Sequence, residues 1–108
     1  MGIFMEDSAL LMSCWRIWML DIFYTSQFKR DYKKAKKQGK DLAKLKKVLS
    51  LLQSQHKLPK VYRDHHLTGN YAGFRECHIS PDWLLVYKID TDQLLLILAR
   101  LGSHSELF

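Results

Sequence analysis

A chain of 108 residues with 47% apolar side chains fits one domain that can bury a core without covalent staples. Its formal charge of +6, from 17 Lys and Arg against 11 Asp and Glu, favours a polyanionic partner, nucleic acid or an acidic protein, over a neutral surface. Two cysteines, Cys14 and Cys77, with no framework spacing, exclude a disulfide scaffold and point to a reducing cytoplasm.

Residues 1–18 lead into an apolar stretch from Ala9 to Leu20, but Glu6 and Asp7 precede it and Arg16 interrupts it. It lacks the basic start and clean apolar run of a signal peptide and is too interrupted to span a bilayer. The segment is expected to be an appendage, either a surplus start upstream of Met19 or a loosely docked helix. A domain over 19–108 then carries 16 basic and 9 acidic residues, +7.

From Met19, Leu-Asp-Ile-Phe-Tyr reads as a first strand ending at a Thr25-Ser26 helix cap. Phe28, Tyr32 and Ala35 then recur at helical spacing with lysines on the other faces, and Gly39 closes that helix. Asp41 caps a second helix with Leu42, Leu45, Val48, Leu49 and Leu52 as its buried stripe. Together they form a basic hairpin: from Lys29 to Lys47 ten Lys or Arg stand against Asp31 and Asp41 alone, +8. The run is either a nucleic-acid footprint or an ordinary solvated face. After Pro59 the period changes to short β-type runs, at Val61-Tyr62, Gly73 to Ile79, Trp83 to Ile89 and Leu94 to Leu101. Turn signals lie at Gly69-Asn70, Ser80-Pro81-Asp82 and Asp90-Thr91-Asp92. The last two runs are almost continuously apolar, as in central strands covered by helices. The predicted fold is α+β: an N-terminal strand, the two-helix hairpin, then an antiparallel sheet of about three further strands.

Alternation over Phe74 to Ile79 puts Glu76 and His78 on one face and Arg75 and Cys77 on the other. A Glu and a His so placed suit general acid–base work, or else form the polar outer face of an edge strand. Asp64-His65-His66 in a loop before that strand, Asp82-Trp83 at the turn after it, and Arg100 with His104 near the chain end converge on the same region. A terminal Phe108 suggests an aromatic that touches a substrate or pocket rim. RNA cleavage needs a base for the ribose 2′-hydroxyl, cations for the phosphorane and an acid for the 5′-oxygen. Histidine serves near neutral pH and Arg100 can grip phosphate in two-pronged fashion. Trp83 and Phe108 could stack on unpaired bases, although a core position is the commoner fate of an aromatic at a strand start. The histidines lack the short paired spacings of a zinc site, and no glycine-rich phosphate loop or Gly-x-Ser-x-Gly elbow is present.

Three motifs from Val61 onward, Val-Tyr-Arg-Asp-His-His-Leu-Thr-Gly, Gly-Phe-Arg-Glu-Cys-His-Ile-Ser-Pro-Asp-Trp-Leu-Leu-Val-Tyr and Arg-Leu-Gly-Ser-His-Ser-Glu-Leu-Phe, together resemble the YafQ branch of the RelE-like toxins of bacterial type II toxin–antitoxin systems. The resemblance runs from about Met19 to the end. It implies a ribosome-dependent mRNA endonuclease that cuts translated message in the A site without metal or other cofactor. An acidic antitoxin of the RelB/DinJ type would neutralise it, with DNA reached only through that antitoxin and no membrane involved. By motif, the active-site residues would be His65, Glu76, His78, Asp82, Arg100 and His104. His104 or His65 would act as acid, Glu76, His78 or Asp82 as base, and Arg100 would hold the phosphate. Trp83 and Phe108 would meet substrate, with Lys33, Lys36, Lys37 and Lys40 holding ribosomal RNA. His66 stands where the branch commonly has Pro. A non-catalytic basic module that binds RNA or an acidic partner is the competing reading; it would not need His65, His78 and His104 to meet.

Overall fold

The first strand and the first helix are joined by a single side chain. The computed structural model describes residues 19–108, so the expected appendage, residues 1–18, lies outside the described residues. Strand β1 (Asp21–Tyr24) ends at Thr25, whose hydroxyl accepts the Phe28 N–H at 3.1 Å and caps helix α1 (Ser26–Lys37). The same hydroxyl donates to the Leu98 carbonyl at 2.8 Å, tying the helix start to a strand more than seventy residues on. Gly39, at φ +73°, ends the helix as the spacing predicts: its N–H bonds the Lys36 carbonyl and the Lys40 N–H bonds that of Ala35. A left-handed turn of this kind satisfies the last helical carbonyls. Asp41 accepts the Ala43 N–H at 3.1 Å and starts α2 (Leu42–Gln53).

The remaining elements are β2 (His65–His66), β3 (Arg75–Ser80), β4 (Trp83–Asp90), β5 (Leu95–Gly102) and a terminal turn of helix, α3 (His104–Leu107). The five strands lie in the order β1-β5-β4-β3-β2; β1 runs parallel to β5 and every other pairing is antiparallel. Two expectations change. Val61-Tyr62 belongs to a 3₁₀ turn (Lys60–Tyr62), and the loop expected at His65-His66 is a two-residue strand, which makes four strands after the helices and a mixed sheet.

Each sheet face has its own core. On one face Cys77, Trp83, Leu85, Tyr87, Leu96, Leu98 and Leu101 meet Phe28 and Ala35 of α1 and Leu45, Val48 and Leu52 of α2. Each such side chain contributes roughly 1.5–3 kcal/mol by leaving water. On the other face Leu84 and Val86 are covered by Leu107, with Leu67, Tyr71, Phe74 and Ala99 around them. Two covered faces explain why β4 is apolar at nearly every position. Gly102 lets α3 fold back so closely: a Cβ there would meet Glu106 Oε1 at 3.1 Å and a Leu107 methyl at 3.2 Å. Among the described residues no helix is long and apolar enough to cross a membrane.

Candidate active site

Strand β3 carries Glu76 and His78 on the face away from the long helices. Across the sheet, Glu76 pairs with Val86 and Val86 with Arg100, so the two residues occupy one cross-strand row. Strand β2 sets His65 opposite Glu76, and His65 Nε2 lies 3.3 Å from Glu76 Oε1. His78 Nε2 faces the same oxygen at 3.9 Å, and the two imidazoles are 6.4 Å apart. Glu76 is 3% exposed, and its Oε2 is buried without a hydrogen-bond partner among the described residues. A carboxylate so placed is costly unless its charge is shared.

Backbone carbonyls fix the tautomers. His65 Nδ1 lies 2.7 Å from the Arg63 carbonyl, which can only accept, so Nδ1 carries a proton. Its Nε2 is thereby turned toward Glu76. His78 Nδ1 faces the Pro81 carbonyl at 3.3 Å, leaving its Nε2 lone pair free to take a proton. Arg63 aims its carbonyl at His65 by adopting φ +50°, a conformation a non-glycine residue holds at a cost of about 1–2 kcal/mol.

A second group of side chains sits on α3. His104 and Phe108 have ring centres 5.4 Å apart, and Tyr71 meets Phe108 edge-on at 5.8 Å. Phe108 is 54% exposed and offers an open aromatic surface. Asp82 Oδ1 accepts the backbone N–H of His104 at 3.3 Å and so anchors the start of the terminal helix. Ser103 and Glu106 form a capping box, and Lys34 of α1 grips Glu106 at 2.6 Å. These bonds, with that of Lys34 first among them, hold the Glu106 carboxyl down at about 2.

Arg100 is aimed by Asp31. Its Nε donates to Asp31 Oδ2 at 2.9 Å, and the same oxygen accepts the Leu101 N–H at 3.0 Å. This ion pair, partly offset by burial, raises the Arg100 pKa above its already high value. Asp31 reads in the sequence as a lone charge among lysines, yet its spacing with Phe28 and Ala35 puts it on the buried stripe of α1. Behind β2, Asp64 takes Arg75 Nη2 at 2.7 Å and the Tyr87 hydroxyl, and Arg75 Nη1 donates to His66 at 2.8 Å. His66 therefore turns away from Glu76. Burial, followed by the Asp64 hydrogen bond, drives the Tyr87 hydroxyl pKa up, and burial does the same to the Cys77 thiol, so Cys77 is no nucleophile.

Trp83 does not reach the site. It is 2% exposed within the helix-side core, so no base can stack on it. Lys33 and Lys36 line a groove between α1 and α2, on the opposite sheet face from Glu76, while Lys37 is exposed and Lys40 half-buried. The lysine of α1 that does touch the terminal helix is Lys34. Among the described residues no group of three or more His, Cys, Asp or Glu side chains is arranged to hold a metal ion.

Known proteins of this shape point the same way. A family model described as "Bacterial toxin of type II toxin-antitoxin system, YafQ" matches residues 20–108. The chain is 46% identical over 89 residues to the mRNA interferase toxin YafQ of Escherichia coli, covering 82% of this chain and 95% of that one. A metal-bound toxin from Helicobacter pylori superposes with a TM-score of 0.79 at 48% identity, over 83% of this chain and all of that one. YafQ in the E. coli DinJ–YafQ toxin–antitoxin complex does so with a TM-score of 0.75 at 45% identity, over 83% and 98%.

Proposed function

The chain belongs to the YafQ family of bacterial toxins of type II toxin–antitoxin systems, and on that premise we propose that it is a metal-independent endoribonuclease acting on translated mRNA in the ribosomal A site. The observation that carries this reading is the cluster of His65, Glu76 and His78, with His65 and Glu76 in one cross-strand row with Arg100. His78 Nε2 takes the proton of the ribose 2′-hydroxyl, with Glu76 beside it to hold the resulting charge. The 2′-oxygen attacks phosphorus, Arg100 neutralises the phosphorane, and the bond to the 5′-oxygen breaks as His104 donates a proton to it. His65, 3.3 Å from Glu76, holds that carboxylate in place. Phe108 stacks on a neighbouring base. The ribosome supplies the in-line geometry of the message, worth many orders of magnitude in such reactions, so naked RNA is a poor substrate.

The partner is an acidic antitoxin comparable to DinJ of the E. coli complex. The groove between α1 and α2 supports this: its floor includes Phe28, Tyr32 and Leu45, and its rim Lys33, Lys36 and Lys46. Such a groove matches an amphipathic acidic segment. Primer extension on a translated message, with ribosomes present and absent, tests the activity. His104→Ala, and separately loss of Phe108, should abolish cutting and growth arrest while antitoxin binding and melting temperature stay near wild type. Full cutting by the His104→Ala protein, or equal cutting of naked RNA, would sink the mechanism.

A further inference from the structure

Beside the catalytic cluster lies a cavity that reaches His78. It has a volume of about 620 Å³ and is bounded by α2, the 3₁₀ turn at Lys60–Tyr62 and the turn between β3 and β4. That volume falls within the range of about 300–1,000 Å³ usual for small-ligand pockets. Lys44 and Lys47, three apart on α2, and Arg63 supply three positive charges, and among the described residues no acidic side chain lines the space. Tyr62 gives it an aromatic wall, and Val61 stands 76% exposed at its edge, an unusual position for a β-branched apolar side chain. Two residues join it to the centre. His78 lines it while turning Nε2 toward Glu76, and Arg63 lines it while holding His65 through its carbonyl.

We propose that this cavity is the subsite for the nucleotide adjoining the cleaved phosphodiester, with the base against Tyr62 and Val61 and the phosphate on Lys44, Lys47 and Arg63. A flat apolar wall with several cations and no carboxylate suits a nucleotide better than a free anion or a neutral metabolite. Held there, the chain of the message lies across His78 and presents its 2′-hydroxyl to Nε2. The assignment rests on the endonuclease reading and makes Lys44 and Lys47 positioning residues.

Two measurements on the full chain test it. In the first, a 5′-phosphorylated deoxyadenosine dinucleotide, which cannot be cut for want of a 2′-hydroxyl, is titrated against the protein by NMR. Shifts should appear at the amides of Tyr62, Ser80 and Lys47, and the Lys44→Gln/Lys47→Gln protein should bind at least about tenfold more weakly. In the second, ribosome-bound message carries one neutral methylphosphonate at successive phosphates around the cut. One flanking position should slow the wild type about tenfold through KM, and the double variant should have lost that sensitivity while keeping kcat. Absence of the shifts, or equal sensitivity in both proteins, overturns the subsite. If the wild type binds the dinucleotide at these amides yet cuts no message, the subsite stands and the endonuclease reading falls.

Discussion

Asp31 stands almost alone among the lysines of α1, and removing its carboxylate should be felt in two places at once. Its Oδ2 serves the Leu101 N–H and Arg100 together, so Asp31→Ala leaves a buried donor and a half-buried cation without their acceptor. The expected loss is about 1–3 kcal/mol in urea unfolding, with cleavage falling further than stability alone explains because Arg100 is no longer aimed. An unfolding midpoint equal to wild type would show that the pair is ornamental. The role was legible in the spacing of Phe28, Asp31 and Ala35, had position on the stripe been weighed beside charge. Trp83 is the opposite case. β4 is apolar on both faces, so alternation could not say which way its first residue points, and packing against the helices decided it. Glu76 and His78 were placed correctly by alternation alone, because β3 mixes polar and apolar residues. The carbonyl of Arg63 could not be foreseen, since the left-handed turn that aims it has no glycine to mark it.

Four residues cannot hold a helix unaided, since isolated helices need about 12–15; α3 persists through its capping box, the Lys34–Glu106 pair, the Asp82 anchor and the Leu107 contact. Glu106 makes that anchorage pH-dependent. Its carboxyl is depressed to about 2 in the folded chain from 4.5, so its stabilisation is complete above about pH 4.5 and is lost as pH falls toward 2. A melting-temperature series should therefore decline through this window in the wild type and decline less in Glu106→Gln. Gly102→Ala tests the same element sterically. With Glu106 and Leu107 too near a new Cβ, α3 should shift and cleavage should drop severalfold, while the distant core keeps its urea midpoint to within about 1 kcal/mol. A drop in both would mean that α3 is part of the main folding unit. Both long helices and the three long strands were readable from period and caps. Two residues at β2 carry no period at all, and that β1 lies parallel to β5 is a long-range choice of neighbour that alternation cannot express.

The hairpin lysines divide between two surfaces. Lysines 33 and 36 lie by the interhelical groove, while His65, His78 and Glu76 occupy the opposite sheet face. Changing Lys33, Lys36, Lys37 and Lys40 to Gln should lower ribosome association and flatten its dependence on salt by up to about 0.9 in log–log slope per lost phosphate contact, with the same codons cut. An unchanged slope would reduce the basic face to a solvated surface. The parallel pairing of β1 with β5 also governs when the fold can close. Residues 21–24 must wait for residues 95–98 before they have a neighbour, and Glu76 has no arginine in its row until Arg100 has been added. A growing chain thus already carries His65 and His78 while β1 is still without its neighbour and the row of Glu76 is incomplete, and the fold closes only at the last stage of synthesis.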